Sequence, residues 1–178
     1  MKDDLKNVLF SEDEIKQRVG QLGARITHDY AGASPLLLGV LKGSFIFLAD
    51  LARTIELNCE IRFIAVSSYG LASFTSGRVE FDSNLDFEIA RRHVILIEDI
   101  LDSGETLTAL RSFISGYCPA SLKICSMLDK PARRKVPISA DYLGFECPDE
   151  FIVGYGLDYA ERYRNLPYIA SLKPEIYT

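Results

Sequence analysis

Two short segments consist almost entirely of apolar residues, and they constrain the fold more than any other feature of the sequence. Residues 35–41 read Pro-Leu-Leu-Leu-Gly-Val-Leu, and residues 93–97 read His-Val-Ile-Leu-Ile. Segments this short with no polar face are typical of parallel strands that are covered on both sides. Each is followed by a helical pattern, at residues 45–55 and at about residues 105–115. The sequence therefore predicts an α/β protein built on a buried sheet.

Other segments extend this pattern along the whole chain. Further strands are predicted at residues 61–69, 122–128, 142–145 and 151–155. Ser11 and Glu14 have the spacing of a helix capping box. The apolar residues that follow at helical spacing are Ile15, Val19, Leu22 and Ile26. Alternating strands and helices predict a doubly wound, mainly parallel sheet with right-handed crossovers and flanking helices.

Length and composition favour a single cytoplasmic domain spanning residues 1–178. No repeat or linker divides the 178 residues, and the formal net charge of −5 argues against a general nucleic-acid binder. No apolar run approaches the roughly 20 residues of a membrane span, and the N-terminus lacks the apolar core of a signal peptide. Four scattered cysteines fit a reducing compartment.

One long segment, residues 70–88, departs from the regular pattern. Gly, Ser, Thr and charged residues dominate it, although Val79 and Phe81 are suited to a short hairpin. A polar stretch of this length inside a compact domain is usually functional or disordered.

The most informative motif follows the apolar strand at residues 94–97. Glu98 and Asp99 come directly after it, and a Gly-containing turn then opens a helix. Open α/β sheets bind ligands at the carboxyl ends of their strands, and the free amides of a helix start attract phosphate. Two adjacent carboxylates can hold vicinal hydroxyls or a Mg²⁺ ion. The motif therefore predicts a loop that binds a sugar and its phosphate.

The plain alternative is an acidic helix N-terminus, because Asp, Ser and Glu are ordinary capping residues. The preceding apolar strand and the carboxylate pair favour the functional interpretation. A P-loop and a dinucleotide-binding loop are both excluded, since the chain contains no GxxxxGK[ST] and no G-x-G-x-x-G after a strand.

Residues 95–106 resemble the phosphoribosyl-diphosphate (PRPP) signature of type I phosphoribosyltransferases, and the rest of the chain resembles the hypoxanthine-guanine branch of that family. The resemblance also covers Leu41-Lys42-Gly43, residues 67–70, 128–134, 148–159 and 162–168. It implies the type I fold, with a small hood formed by the N-terminal segment and the C-terminal part. It also implies a mobile lid at about residues 70–88, headed by Ser68 and Tyr69.

The resemblance implies that the purine displaces pyrophosphate from PRPP, giving IMP or GMP in a Mg²⁺-dependent reaction. Asp102 matches the residue that accepts the proton from N7 of the purine. Glu98 and Asp99 match the residues at the ribose hydroxyls and the metal. The 5′-phosphate cradle, which includes the amide of Asp102, is matched by Ser103, Gly104, Glu105 and Thr106.

The remaining site residues are implied in the same way. Lys130 matches the residue that reads O6 of the purine, Phe151 the ring that stacks on it, and the backbone of Ile152 the contact to its edge. Asp158 matches a ligand of a second Mg²⁺. The pyrophosphate-binding set is matched by Leu41, Lys42, Gly43 and Arg164, with the Leu41–Lys42 peptide cis in the family.

Two departures and two alternatives accompany the resemblance. Leu71, Ala72 and Phe74 stand where small polar residues are more common, and Glu105 replaces a cation or an apolar residue.

One alternative function is a regulatory protein on the same fold that binds nucleotide or RNA without turnover. The other is an enzyme that prefers xanthine. Family members are usually dimers or tetramers, so we expect a homodimer or homotetramer acting on small molecules, without a nucleic-acid or membrane partner.

Overall fold

The structure is a computed structural model that describes residues 1–67, 80–81, 85 and 87–177. In chain order the regular elements are β1 (Leu5–Phe10), α1 (Glu12–Asp29), β2 (Leu36–Leu41), α2 (Phe45–Thr54), β3 (Glu60–Ser67), β4 (Glu80–Phe81), β5 (His93–Leu101), α3 (Glu105–Ser115), β6 (Ser121–Asp129), β7 (Tyr142–Glu146), β8 (Ile152–Val153) and β9 (Ile169–Leu172). Short 3-10 turns lie at Lys2–Asp4, Pro131–Arg133 and Pro174–Ile176. None of the described helices combines the length and apolarity that a membrane span requires.

The main sheet has the strand order β4-β3-β2-β5-β6-β7, and five of its strands are parallel. The apolar runs become the central strands β2 and β5, as the sequence predicts. Alternate residues of these strands face two separate cores. Leu37 and Ile95 pack with α1 and α2 on one face, whereas Leu38 and Leu96 pack with α3 on the other. The prediction of a doubly wound sheet flanked by helices is confirmed.

The N-terminal helix α1 begins at the predicted capping box. The Ser11 hydroxyl accepts a hydrogen bond from the Glu14 amide, and the Glu14 carboxylate accepts one from the Ser11 amide. These contacts pair amides that a helix start otherwise leaves without partners. The four apolar residues of the predicted face, Ile15, Val19, Leu22 and Ile26, are all buried.

A second, three-stranded antiparallel sheet has the order β1-β9-β8 and joins the two ends of the chain. The strands β1 and β9 were not predicted. Three of the six β1 residues, Lys6, Asn7 and Val8, are exposed, so β1 shows no clear apolar alternation. Its stabilising partner lies about 160 residues away, at Leu172 and its neighbours.

Two predicted strand boundaries are wrong. β5 continues to Leu101, so Glu98 and Asp99 lie within its last residues and do not follow it. The predicted strand at residues 151–155 ends after Val153, because Gly154 and Tyr155 have positive φ angles that extended strands do not contain. Within the segment predicted as a lid, β4 pairs antiparallel with Val66 and Ser67 of β3, whereas Ser68, Tyr69, Leu71, Ala72, Phe74 and Val79 lie outside the described residues.

Candidate active site

The carboxyl end of β5 and the first turn of α3 enclose a cavity of about 140 Å³. Parallel strands place their carboxyl ends at one edge of the sheet, where this fold class binds ligands. The lining residues are Glu98, Asp99, Ile100, Leu101, Asp102, Ser103, Gly104, Thr106 and Leu107. The predicted PRPP motif therefore forms one concave surface that is lined by its carboxylates, its hydroxyls and three apolar residues.

The carboxylate pair at the end of β5 is electrostatically strained. Within the described chain, Glu98 Oε2 is buried and has no hydrogen-bond partner. Burial, and then the neighbouring Asp99, raise the pKa of Glu98 well above its usual value. Asp99 Oδ1 accepts a hydrogen bond from the Ile100 amide at 2.8 Å, but burial raises its pKa as well. A bound cation would relieve the repulsion between the two groups.

The donor set at this pair fits Mg²⁺. Among the described residues no group of three or more His, Cys, Asp or Glu side chains is arranged to hold a metal ion. Mg²⁺ commonly uses only one or two protein carboxylates and completes its shell with water and substrate phosphates. When ionised, the Glu98 carboxylate has the hard oxygen donor that such a site requires.

The loop after β5 is shaped by Gly104, whose φ of +83° is left-handed. A Cβ atom at this position would lie 2.5 Å from Ile138 Cγ2, so the loop packs too closely for a side chain. Glu105 begins α3, and its carboxylate points toward Lys135 Nζ at 3.2 Å. The side chain of Glu105 is thus directed to a surface ion pair, and its amide remains at the start of the helix.

Asp102 occupies the turn between the strand and the helix. Its Oδ1 atom is buried without a hydrogen-bond partner in the described chain, and Arg133 Nε lies 3.8 Å away. Arg134 donates from Nη1 to the carbonyls of Leu101 at 3.1 Å and Asp102 at 2.5 Å, and its Nη2 pairs with Asp129. The backbone at Asp102 is therefore anchored from the end of β6, whereas its carboxylate keeps an unused acceptor.

The loop Leu41-Lys42-Gly43 after β2 contains a cis Leu41–Lys42 peptide. A Cβ atom at Gly43 would lie 1.5 Å from Asp99 Oδ2. A Cβ atom at Gly156 would in turn lie 2.0 Å from the Gly43 carbonyl oxygen. Three segments distant in sequence thus meet at these two glycines, because neither has a side chain.

Lys130 follows β6 and is almost fully buried, with 4% of its surface exposed. Its Nζ donates to the Glu150 carbonyl at 2.8 Å, and its amide donates to the Leu101 carbonyl at 3.0 Å. The ammonium group has three donors, so it can satisfy further acceptors at this edge. An isolated lysine after a strand is normally a solvated surface charge, but this one is held inside the protein.

Phe151 and Ile152 lie where the small sheet approaches the same edge. The Phe151 ring is half-buried and stacks on Tyr177, with ring centroids 4.8 Å apart and an interplanar angle of 27°. Tyr159 contacts it edge-on, with a centroid distance of 5.3 Å. Ile152 is buried in β8, where it pairs with Ser171.

Arg164 and Asp158 form an ion pair beside the Gly154–Leu157 turn. Arg164 Nη2 lies 2.8 Å from Asp158 Oδ1, and its Nη1 donates to the Gly156 carbonyl at 2.8 Å. The Nε atom of Arg164 is buried without a partner in the described chain. Glu161 connects Arg164 to Lys42, through contacts of 3.2 Å and 3.1 Å respectively.

The family described as phosphoribosyl transferase domain matches residues 9–160 of the chain. The chain belongs to the phosphoribosyltransferase family. The hypoxanthine-guanine phosphoribosyltransferase of Bacillus subtilis is 50% identical over 177 residues, which cover 99% of this chain and 98% of that protein. The bifunctional protein TilS/HprT of Listeria innocua is also 50% identical, and the chain spans 28% of its length. A crystal structure of a Staphylococcus aureus hypoxanthine phosphoribosyltransferase superimposes with a TM-score of 0.95 at 46% identity, covering 100% of this chain and 97% of that one.

These comparisons confirm the predicted resemblance and the predicted type I phosphoribosyltransferase fold. Three groups that contact the predicted site residues were not themselves predicted: Gly156, the carbonyl of Glu150, and Glu161. The Gly-Tyr-Gly sequence around Gly156 signals a tight turn, but not what contacts it. A backbone carbonyl such as that of Glu150 has no sequence signal at all.

Proposed function

We propose that the protein is a purine salvage transferase that converts hypoxanthine or guanine and PRPP to IMP or GMP and pyrophosphate. The observation that carries this proposal is the convergence, at one edge of the sheet, of an acidic pair, a phosphate-type loop and the buried ammonium of Lys130. The first two suit a phosphorylated sugar, and the third suits the O6 atom of an oxopurine. Full-length similarity to hypoxanthine-guanine phosphoribosyltransferases supports the same reaction.

In the proposed reaction, N9 of the purine attacks C1 of the ribose as the bond to pyrophosphate breaks. Asp102 accepts the proton from N7, a role suited to a carboxylate whose buried Oδ1 has no hydrogen-bond partner among the described residues. The 5′-phosphate binds at Ser103, Gly104 and Thr106 and at the amides of residues 102–106, because the first amides of α3 have no acceptor within the helix. The loop thus binds the phosphorylated sugar, and Asp102 at its start accepts the proton.

The purine is proposed to lie between the ends of β6 and β8. Lys130 donates to O6, Phe151 covers one face of the ring, and the Ile152 backbone contacts the purine edge. A buried donor at O6 selects an oxo group over an amino group, since adenine would leave it without an acceptor. The same arrangement leaves xanthine as the alternative substrate.

We propose that Glu98, Asp99 and Asp158 hold Mg²⁺ together with the substrate. When bound, the metal neutralises charge on the pyrophosphate as it leaves. Leu41, Lys42 and Gly43 bind the pyrophosphate from one side. Arg164 binds it from the other with a planar cationic fork, whose Nε has no hydrogen-bond partner in the part of the chain that the structure describes. Ser68 and Tyr69 head the proposed lid.

The reaction is tested by Mg²⁺-dependent nucleotide formation from PRPP with hypoxanthine, guanine, xanthine and adenine in parallel. We expect IMP and GMP, with adenine inert. Formation of xanthosine monophosphate as the main product would favour the xanthine alternative. Binding of PRPP without product from any base would favour the regulatory alternative.

Glu98→Gln is expected to raise the melting temperature of the metal-free protein at pH 8 by about 2–4 °C, equivalent to roughly 1 kcal/mol. The pKa of Glu98 is raised in the folded state, so its contribution to stability is present below the unfolded pKa and is lost as pH rises through the folded value. At pH 5 the two proteins should therefore melt almost together. Glu105→Gln, which changes an exposed carboxylate of the same loop, is the control in a fluorimetric melt. A difference that does not depend on pH would contradict the prediction.

The chain is proposed to form one catalytic domain, because both sheets contribute to the same site. It is proposed to act in the cytoplasm, which suits its four free cysteines. It is also proposed to assemble as a homodimer or homotetramer. Ile61 and Phe63, which point to the same face of β3, are 42% and 46% exposed, and Phe45 at the start of α2 is 43% exposed. Exposed apolar residues of this size suit a second copy of the chain.

Ile61→Lys is expected to convert the oligomer to smaller species, because the lysine would place a charge in an apolar interface. The measurement is light scattering coupled to size-exclusion chromatography, across a concentration series. Tyr117→Lys, at a 39% exposed aromatic in the turn after α3, is the control and should leave the mass unchanged. A wild-type protein that is monomeric throughout would contradict the proposed assembly.

A further inference from the structure

The turn at residues 154–156, which lies just before Asp158 in the sequence, has an unusual backbone. Gly154, Tyr155 and Gly156 have φ angles of 98°, 51° and 101°. Left-handed backbone is ordinary for glycine, but Tyr155 has a Cβ atom and adopts it only where surrounding contacts enforce it. Two such contacts are backbone hydrogen bonds, from Tyr155 N to the Leu166 carbonyl at 2.9 Å and from Gly156 N to the Arg164 carbonyl at 3.0 Å.

A third contact comes from the Tyr155 side chain. Tyr155 is 5% exposed, and its hydroxyl donates to Asp50 Oδ2 at 2.7 Å. Asp50 lies on α2, where its other oxygen pairs with Arg53. Burial, and then the hydrogen bond to Asp50, raise the pKa of Tyr155, so the hydroxyl remains a donor at neutral pH. The turn is therefore attached to α2 by a charge-assisted hydrogen bond.

The helix α2 also begins only two residues after Gly43. The Gly43 carbonyl touches Gly156 so closely that a Cβ atom there would lie at 2.0 Å. Ser44 is fully buried and donates to the Val40 carbonyl at 2.6 Å, which joins the loop rigidly to β2. The loop 41–43 and the helix that follows it thus hold the same turn at two points, Gly156 and Tyr155.

We propose that Asp50 and Tyr155 are positioning residues for the reaction. Their hydrogen bond sets the distance between the pyrophosphate loop 41–43 and the turn that leads to Asp158 and supports Arg164. Neither side chain needs to touch substrate. The inference rests on the proposed function, because it assumes that pyrophosphate binds between these two segments.

Tyr155→Phe removes only the hydroxyl and tests the link. We expect the dissociation constant of pyrophosphate, measured by calorimetry in the presence of Mg²⁺, to rise about tenfold. The KM for PRPP should rise similarly, whereas the KM for hypoxanthine should change less than about twofold. Asp50→Ala should have the same effect, and the double variant should be no worse than either single variant. Asp50→Asn keeps an acceptor for the hydroxyl and should restore near-wild-type affinity.

The matched control is Tyr142→Phe. Tyr142 also donates from a largely buried hydroxyl to a carboxylate on a helix, at 2.9 Å from Asp29 Oδ2, but it lies at the amino end of β7. The Tyr142→Phe variant should be less stable than the wild-type protein but should bind pyrophosphate with unchanged affinity. If Tyr155→Phe behaved in the same way as this control, the positioning role would be overturned and a structural role would replace it.

The outcomes also separate this inference from the proposed function. A wild-type protein that binds pyrophosphate but forms no nucleotide would refute the reaction, while the calorimetric comparison would still decide the inference. An active wild-type protein whose Tyr155→Phe variant has unchanged affinity would refute the inference alone. Failure of the wild-type protein to bind pyrophosphate would overturn both.

Discussion

Asp102→Asn is expected to lower the turnover number for IMP formation about 1,000-fold while leaving PRPP affinity within a few-fold of the wild-type value. Asparagine keeps the size of the side chain and the backbone that Arg134 anchors. It cannot accept the proton from N7, so the loss should fall on the chemical step. The measurement combines single-turnover kinetics with calorimetric titration of PRPP.

Asp149→Asn is the matched control for that experiment. Asp149 and Asp102 each place a carboxylate oxygen 3.8 Å from Arg133 Nε, but Asp149 lies outside the cavity at the end of β5. Its substitution removes the same charge from the same guanidinium and should change turnover less than about twofold. Wild-type turnover in Asp102→Asn would refute the assignment of the base. A comparable loss in Asp149→Asn would instead indicate a general electrostatic effect around Arg133.

Lys130→Ala is expected to lower kcat/KM for hypoxanthine about 100-fold while changing PRPP affinity much less. A charged donor to O6 contributes only when the purine is bound, so its loss should not weaken the phosphate contacts. The same change should narrow the preference for hypoxanthine over adenine, because the donor that adenine cannot satisfy is gone. Steady-state kinetics with each base in turn measure both effects.

Lys123→Ala is the control, since Lys123 lies on β6, the strand that Lys130 follows, but is exposed and paired with Asp141 at 2.7 Å. It should leave both kinetic constants unchanged. Lys130→Ala also frees the Glu150 carbonyl, so the melting temperature must be followed in parallel. Equal damage to purine use and PRPP binding in a folded variant would mean that the purine does not lie at Lys130.

The architecture of the main sheet and the position of the acidic motif were both predictable from local sequence. Apolar runs such as residues 93–97 are short and have no polar face, and this pattern is compatible with few structures other than a buried parallel strand. The carboxylates that follow must then lie at the carboxyl edge, where the end of β5 carries Glu98 and Asp99. Only the predicted end of this strand was wrong. β5 continues through the acidic pair, because pairing with β6 satisfies its backbone up to Leu101.

The small antiparallel sheet β1-β9-β8 and the close contacts of the site were not predictable in the same way. β1 carries exposed side chains and is stabilised by pairing with β9 at the other end of the chain. No local sequence pattern indicates such a long-range contact. The close contacts depend on Gly43 and Gly156, whose missing side chains let Asp99, the cis loop and the C-terminal turn meet. The sequence shows where each glycine lies, but not which atom a Cβ at that position would contact.

The sequence by itself therefore determined the fold class, the family and the order of the site motifs. Periodicity, capping and the strand–acid–glycine pattern each depend on residues that are close in sequence, so they can be recognised without the tertiary structure. Only the tertiary structure decided which buried oxygens lack partners, that a carbonyl holds Lys130, and that Tyr155 is tied to Asp50. These features arise where distant segments approach within a few ångströms, and their energies depend on burial and geometry that exist only in the folded chain.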